Sequence, residues 1–130
     1  MATRTPFLLV FRNTGPENHA HLSPEDRQTL LKQWNAWYDD LAAQGLALSG
    51  QPLDEASRVI SGVAGQRVID GPFPEAKEAI GGYVALLATS MEEATQWAKT
   101  HPGLAYGMKI EIRPFAQNCH LGVVGRSSAG

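Results

Sequence analysis

Asp70 is the side chain whose sequence position best suits acid–base chemistry. It precedes Gly71, Pro72, Phe73 and Pro74. This run is predicted to be a stiff loop, because proline cannot donate the hydrogen bonds of a strand ladder. A carboxylate that opens such a loop could act as a base or bind a hydroxyl or cationic group. An aspartate before glycine also commonly hydrogen-bonds the backbone of its own turn, so a purely structural role is the alternative.

Side chains near Asp70 in the sequence could complete a binding site. Pro72 and Phe73 are candidate pocket residues, although Phe73 could equally anchor its loop in the core. Lys77 could hold an anionic ligand close to Asp70 or form a surface ion pair, which usually contributes little stability. Arg113, from a later strand, is a candidate for the same carboxylate-binding role.

Two aromatic residues and one histidine are the other candidates. Trp34 and Tyr38 lie one helical turn apart, where they could pack in the core or line a small-molecule cavity. His101 follows a predicted helix, and the helix dipole there would favour its charged form. Its ordinary pKa near neutrality makes His101 a candidate acid–base residue, with a plain helix-end histidine as the alternative.

The sequence offers no metal or cofactor motif. His19 and His21 lack partners at metal-binding spacing. Cys119 and His120 are neighbours whose side chains would usually point apart, which does not suit a nucleophile–base pair. We therefore expect neither a metal nor a cofactor.

Composition narrows the class of protein. The 130 residues carry a formal net charge of −2 and are 43% hydrophobic, as in an ordinary globular domain. This balance gives no general attraction to nucleic acid or to an anionic membrane. Since the chain has one cysteine and no stretch of about twenty apolar residues, we expect a cytoplasmic protein without membrane spans.

Two helices are predicted from their capping residues and apolar periodicity. The first begins at Ser23-Pro24 and stops at Gly45, a residue that tolerates the left-handed conformation. The second begins with the capping box that runs from Ser90 to Glu93 and ends near His101.

Strands are predicted between and around these helices, at residues 7–11, 46–50, 58–60, 66–69, 83–87 and 108–113. The order predicts an α+β fold, a ferredoxin-like plait with both helices on one sheet face, over residues 1–115. Residues 116–130 form a tail without firm structure. Since 7–11 and 83–87 are apolar at both parities, the second sheet face should also be covered, and we predict a homodimer.

The sequence resembles the YCII-related family, and more narrowly its DGPF branch. The resemblance depends on the run from Arg67 to Glu78, which contains the DGPF motif, followed by Gly81-Gly82-Tyr83. Supporting segments are Ser23-Pro24-Glu25, Trp34-Asn35-Ala36-Trp37, Leu41-Ala42-Ala43-Gln44-Gly45 and Glu111-Ile112-Arg113-Pro114, so roughly residues 6 to 115 are covered. The resemblance implies a dimeric α/β-barrel of ferredoxin-like subunits.

The resemblance also implies alternative functions. Members of the DGPF branch mostly lack an assigned activity, and some are encoded beside sigma factors or fused to them. Related YciI-type proteins use a first-helix histidine and an aspartate as a proposed acid–base pair, and one is a dehydrochlorinase of a chlorinated hydroxymuconate. Trp34 stands at the histidine position, and indole does not titrate usefully. We therefore expect a dimer that binds a small anionic molecule or a regulatory partner such as a sigma factor. A lyase or isomerase with Asp70 as base is the alternative.

Overall fold

A four-stranded sheet and two helices form the body of the protein, and a two-stranded hairpin extends from it. The computed structural model describes residues 3–71 and 80–126. The elements are β1 (Thr5–Arg12), α1 (Pro24–Ala43), β2 (Ala47–Pro52), β3 (Arg58–Ser61), β4 (Arg67–Asp70), β5 (Ile80–Ala88), α2 (Met91–Lys99) and β6 (Lys109–Pro114). Short 3-10 turns occupy Pro16–His19, Val63–Gly65 and Pro102–Tyr106.

The helices begin and end where local residues predict. The Ser23 hydroxyl accepts a hydrogen bond from the Asp26 N–H at 3.1 Å, and Gly45 takes a φ of +73° after α1. The Ser90 hydroxyl accepts from the Glu93 N–H at 3.1 Å and caps α2. These bonds satisfy backbone groups that have no partner inside the helix. The predicted ends of both helices are therefore confirmed.

The main sheet has the strand order β2-β5-β1-β6, and each neighbouring pair is antiparallel. With one helix between β1 and β2 and another between β5 and β6, this is the ferredoxin-like α+β arrangement that the element order predicts. The second strand covers Ala47–Pro52 rather than the predicted residues 46–50, because its ladder with β5 continues to Gly82.

The core lies between the helices and one face of this sheet. The strands contribute the buried apolar side chains of Phe7, Leu9, Phe11, Val84, Leu86 and Ala88, and the helices contribute those of Trp37, Leu41, Ala94 and Ala98. The alternation along β1 and β5 places these strand residues on the helix side.

The opposite sheet face is also apolar. Val10 and Ala85 are buried but belong to this face by parity, and Leu8 and Tyr83 beside them are half-buried. We call these four residues the open face of the sheet. Both helices pack against the other side.

The hairpin formed by β3 and β4 is a separate two-stranded sheet. Gly62 and Gly65, with φ of +86° and +67°, close its turn as predicted. Asp70 pairs with Arg58 and is the last residue of β4. The prediction that Asp70 opens a loop is therefore wrong, because the ladder extends far enough to include it.

The chain continues beyond β6 as a tail. Residues 116–126 are exposed, and an isolated β-bridge joins Asn118 to Val124. Within residues 3–71 and 80–126, no helix combines the length and apolar character needed to cross a membrane.

Candidate functional site

Asp70 lies on the exposed end of the hairpin. Its carboxylate accepts hydrogen bonds from Arg58, at 2.5 Å from Nε and 3.4 Å from Nη2. About two-thirds of each side chain is exposed to solvent. Pro72, Phe73 and Lys77, the predicted partners of Asp70, lie outside the described residues. Their ligand-binding roles stay predictions.

His101 is buried and held by its own backbone. Its residue exposure is 3%, and its Nδ1 accepts a hydrogen bond from the Gly103 N–H at 2.9 Å. This bond caps the 3-10 turn Pro102–Tyr106. Because Nδ1 uses its lone pair here, the neutral ring carries its proton on Nε2.

Three aromatic rings surround the His101 imidazole. The ring centroids of Trp34, Trp37 and Phe11 lie 4.3, 4.7 and 5.0 Å from that of His101. Burial among these rings lowers the pKa of His101 to about 4. The predicted preference for the charged form is therefore wrong, because the loss of hydration outweighs the favourable helix dipole.

The other nitrogen of His101 is buried without a polar partner. Nε2 has no hydrogen-bond partner among the described residues, and the imidazole that carries it is packed among the rings of Trp34, Trp37 and Phe11. Since neither nitrogen offers a free lone pair, this arrangement favours a structural role over that of a general base.

The structure does not bring the two predicted catalytic residues together within the described part of one chain. Asp70 contacts Arg58 of its own hairpin, whereas His101 contacts rings from β1 and α1. Arg113, on the edge strand β6, is exposed and lies 4.0 Å from Glu111. Their catalytic and ligand-binding roles stay predictions.

Trp34 and Tyr38 lie on the side of α1 that faces the core, and both are partly buried against it. Trp34 also lines a surface groove of about 500 Å³ between α1 and the turn Pro16–His19. This volume falls within the range of small-molecule sites. The groove is lined by apolar Leu30, Leu31 and Trp34 and by polar Glu17, His19 and Arg27.

The sequence contains a signal for this groove in the spacing of residues along α1. Arg27, Leu31 and Trp34 follow an i, i+4, i+7 pattern, which places them along one stripe of α1. A cation next to two apolar residues in such a stripe indicates a surface for an amphipathic anion. The missing information was the turn Pro16–His19, which forms the opposite wall.

A second groove, of about 580 Å³, runs between α1 and α2. Trp37 and Trp97 form part of its floor, and Asp40 supplies the charge of its lining. The Trp37 Nε1–H donates to the Thr100 hydroxyl at 2.9 Å and to the Trp97 carbonyl at 3.1 Å. With a carboxylate and no cation in its lining, this groove does not suit an anionic ligand.

The part of the chain that the structure describes contains no group of three or more His, Cys, Asp or Glu side chains that could hold a metal ion. His19 and His21 instead lie near the Tyr106 ring, at centroid distances of 5.6 and 6.2 Å.

A protein-family model matches most of the chain. The model of the YCII-related domain matches residues 7–116 of the chain. The chain belongs to the YCII-related family. The YCII-related match runs from β1 to beyond β6, so it includes both grooves, His101 and the hairpin. No curated protein matches the chain.

Proposed function

We propose that this YCII-related protein is a homodimer that binds a small anionic molecule with an apolar body. The groove beside Trp34 carries this proposal, because it combines apolar side chains with the Arg27 guanidinium in a space of about 500 Å³. We also propose that the chain belongs to the DGPF branch, on the strength of its motif at residues 70–73.

Apolar contacts in the groove would hold the body of the ligand. Leu31 is 55% exposed although it lies next to the large indole of Trp34. Exposed aliphatic and aromatic groups that adjoin in a concave surface are typical of a ligand site. A flat ring or short chain laid on Trp34 would remove Leu31 from water, at about 25 cal/mol for each Å² buried.

The polar groups of the groove favour a negative charge on the ligand. Arg27 lies in the first turns of α1, where the helix dipole is positive, and its fork of donors suits a carboxylate. His19 is a further donor on the opposite wall, and Glu17 is the opposing negative charge. A carboxylate in this groove would therefore be attracted by Arg27 and repelled by Glu17.

Dimer formation is supported by the open face of the sheet. Leu8, Val10, Tyr83 and Ala85 make this face apolar on the two central strands, while the helices cover only the other side. A second copy placed sheet against sheet, about 10 Å away, would cover Leu8 and Tyr83, which the single chain leaves half-exposed.

A binding role agrees better with the site than a lyase role does. The Asp70 carboxylate is exposed and paired with Arg58, and His101 is buried with both nitrogens enclosed. A general base needs a free lone pair within hydrogen-bond reach of its substrate, and His101 offers none. Asp70 keeps free lone pairs, but its carboxylate faces solvent and is not brought together with His101 in the described part of the chain.

Benzoate and benzamide test the binding proposal, because they share a shape and differ in charge. Titrations followed by NMR of the backbone amides of α1 should show benzoate binding at least fivefold more tightly than benzamide. Arg27→Gln should remove this preference. Lys32→Gln, which removes the same charge from another side of α1, is the matched control and should keep it. Equal binding of the two compounds, or an unaffected Arg27→Gln variant, would refute an anion site here.

A further inference from the structure

We propose that the β3–β4 hairpin is a dimerisation arm that packs its Ile60 and Val68 face on a second copy of this chain. The inference rests on the proposed homodimer and assigns a role to an element that the ligand groove does not use. Here "the arm" means residues 58–70.

The arm is exposed to an unusual degree for such an apolar sequence. All four residues of β3 and all four of β4 are exposed. The exposed fractions of Val59, Ile60, Val63, Val68 and Ile69 are 50%, 63%, 81%, 53% and 39%. Single exposed aliphatics are normal on a protein surface, but here Ile60 and Val68 adjoin as cross-strand partners on one face of the ladder, and Val59 and Ile69 adjoin on the other.

The arm also lacks the support that a hairpin of this size needs. Among residues 3–71 and 80–126, β3 and β4 pair only with each other, as a two-stranded sheet separate from the main one. An isolated two-stranded hairpin is marginally stable in water and gains stability by packing an apolar face against another element. The described part of the chain leaves both faces exposed, and a second copy would supply the surface that this hairpin lacks.

The area that a stable dimer needs indicates a second copy as the occupant. A standard interface buries about 800 Å² of accessible surface on each partner. In the single chain Val10 and Ala85 are already buried, and Leu8 and Tyr83 are half-buried. The open face alone therefore exposes much less than a stable dimer needs. In a two-fold dimer each subunit buries its own arm and also the surface that receives the arm of its partner. The arm therefore adds twice to the area that each subunit buries.

Charge selects which face of the arm is buried. Ile60 and Val68 are cross-strand partners, and the alternation puts them on the same face as the Arg58–Asp70 ion pair. The two charges on that face neutralise each other, which lowers the cost of removing them from water. The other face combines Val59 and Ile69 with Arg67, whose partner across the ladder is the uncharged Ser61.

Sedimentation equilibrium of the full chain and its variants tests the arm. Ile60→Asp should raise the dimer dissociation constant at least 100-fold. Val68→Thr, which keeps the shape and the strand propensity, should raise it about tenfold. Leu121→Asp places the same charge on an aliphatic residue of the tail that is 79% exposed, and should leave the constant within threefold of wild type. Far-UV circular dichroism checks that each variant keeps its fold. If Ile60→Asp unfolds, the dissociation constant of Val68→Thr tests the arm instead.

The outcomes separate the arm from the dimer itself. Leu8→Lys, on the open face, should also produce monomers. If Leu8→Lys dissociates the dimer while Ile60→Asp and Val68→Thr leave it intact, the arm is not part of the interface and only this inference fails. If the wild type is a monomer at 10 µM or higher, the proposed homodimer fails and the arm with it. Equal weakening by Leu121→Asp and Ile60→Asp would also overturn the arm, because the effect would then follow charge rather than position.

Discussion

The Trp34 indole stands edge-on to the His101 imidazole, with ring centroids 4.3 Å apart and ring planes at 89°. Trp34 also lines the groove beside Arg27. One indole therefore contacts the buried histidine and contributes to the proposed ligand site. We expect a ligand that moves Trp34 to disturb the packing of His101 as well.

Folding stability should fall in acid because of His101. The folded protein keeps this residue neutral down to a pKa of about 4, whereas the ordinary value in an unfolded chain is 6.5. Between these values the unfolded state binds more protons, so the contribution is complete above pH 6.5 and is lost as the pH falls towards 4. Its size is on the order of 3 kcal/mol. Urea unfolding at half-unit pH steps measures it.

His101→Asn isolates this contribution from that of the carboxylates. Asparagine can still accept the Gly103 N–H bond but does not titrate, so the slope of stability between pH 6.5 and 5 should flatten. His21→Asn, at an exposed histidine, is the control and should keep the wild-type slope. An unchanged slope in His101→Asn would show that His101 is not the group responsible.

Gly103→Ala should destabilise the protein by about 1–3 kcal/mol, as overpacking does in a filled core. An added Cβ would lie 2.9 Å from Trp34 Cζ3 and 3.1 Å from the Met108 sulfur. Gly125→Ala is the control, because its Cβ would meet nothing closer than 3.8 Å. Thermal unfolding compares the two. A loss no larger at Gly103 than at Gly125 would mean that the rings move aside freely.

Trp37→Phe should cost more stability than Thr100→Val. Phenylalanine removes the Nε1–H donor that bonds both the Thr100 hydroxyl and the Trp97 carbonyl, and it also leaves a space in the core. We expect a loss of about 2–4 kcal/mol. Valine at position 100 removes one acceptor and leaves the other, so about 1 kcal/mol is expected. Chemical denaturation of both variants checks this order, and the reverse order would contradict the shared hydrogen bond.

Asp70→Asn should change the stability of the free subunit by less than about 1 kcal/mol, because the ion pair with Arg58 is exposed. A double-mutant cycle with Arg58→Gln measures the coupling in a monomeric background such as Leu8→Lys. A coupling above about 2 kcal/mol in that background would contradict this expectation, because a coupling of that size requires a buried ion pair.

Much of the local structure follows from short stretches of sequence. Ser23, Gly45 and Ser90 act on backbone groups within four residues of themselves, so the ends of α1 and α2 could be predicted from single residues and their neighbours. The continuous apolar runs of β1 and β5 and the glycines of the hairpin turn are equally local signals. The α+β class could be predicted because it follows from the order of these elements. The YCII-related resemblance was visible because it depends on short motifs.

The candidate site depended on contacts between distant parts of the chain. His101 is buried by Phe11, Trp34 and Trp37, which lie more than sixty residues away in the sequence. This burial overrides the preference of the helix end for a charged ring. Likewise, only the hairpin register pairs Asp70 with Arg58 instead of leaving it in a loop. Local sequence determined where elements begin and end, whereas burial, charge state and the wall opposite Arg27 were decided by tertiary structure, because desolvation depends on every neighbour in space.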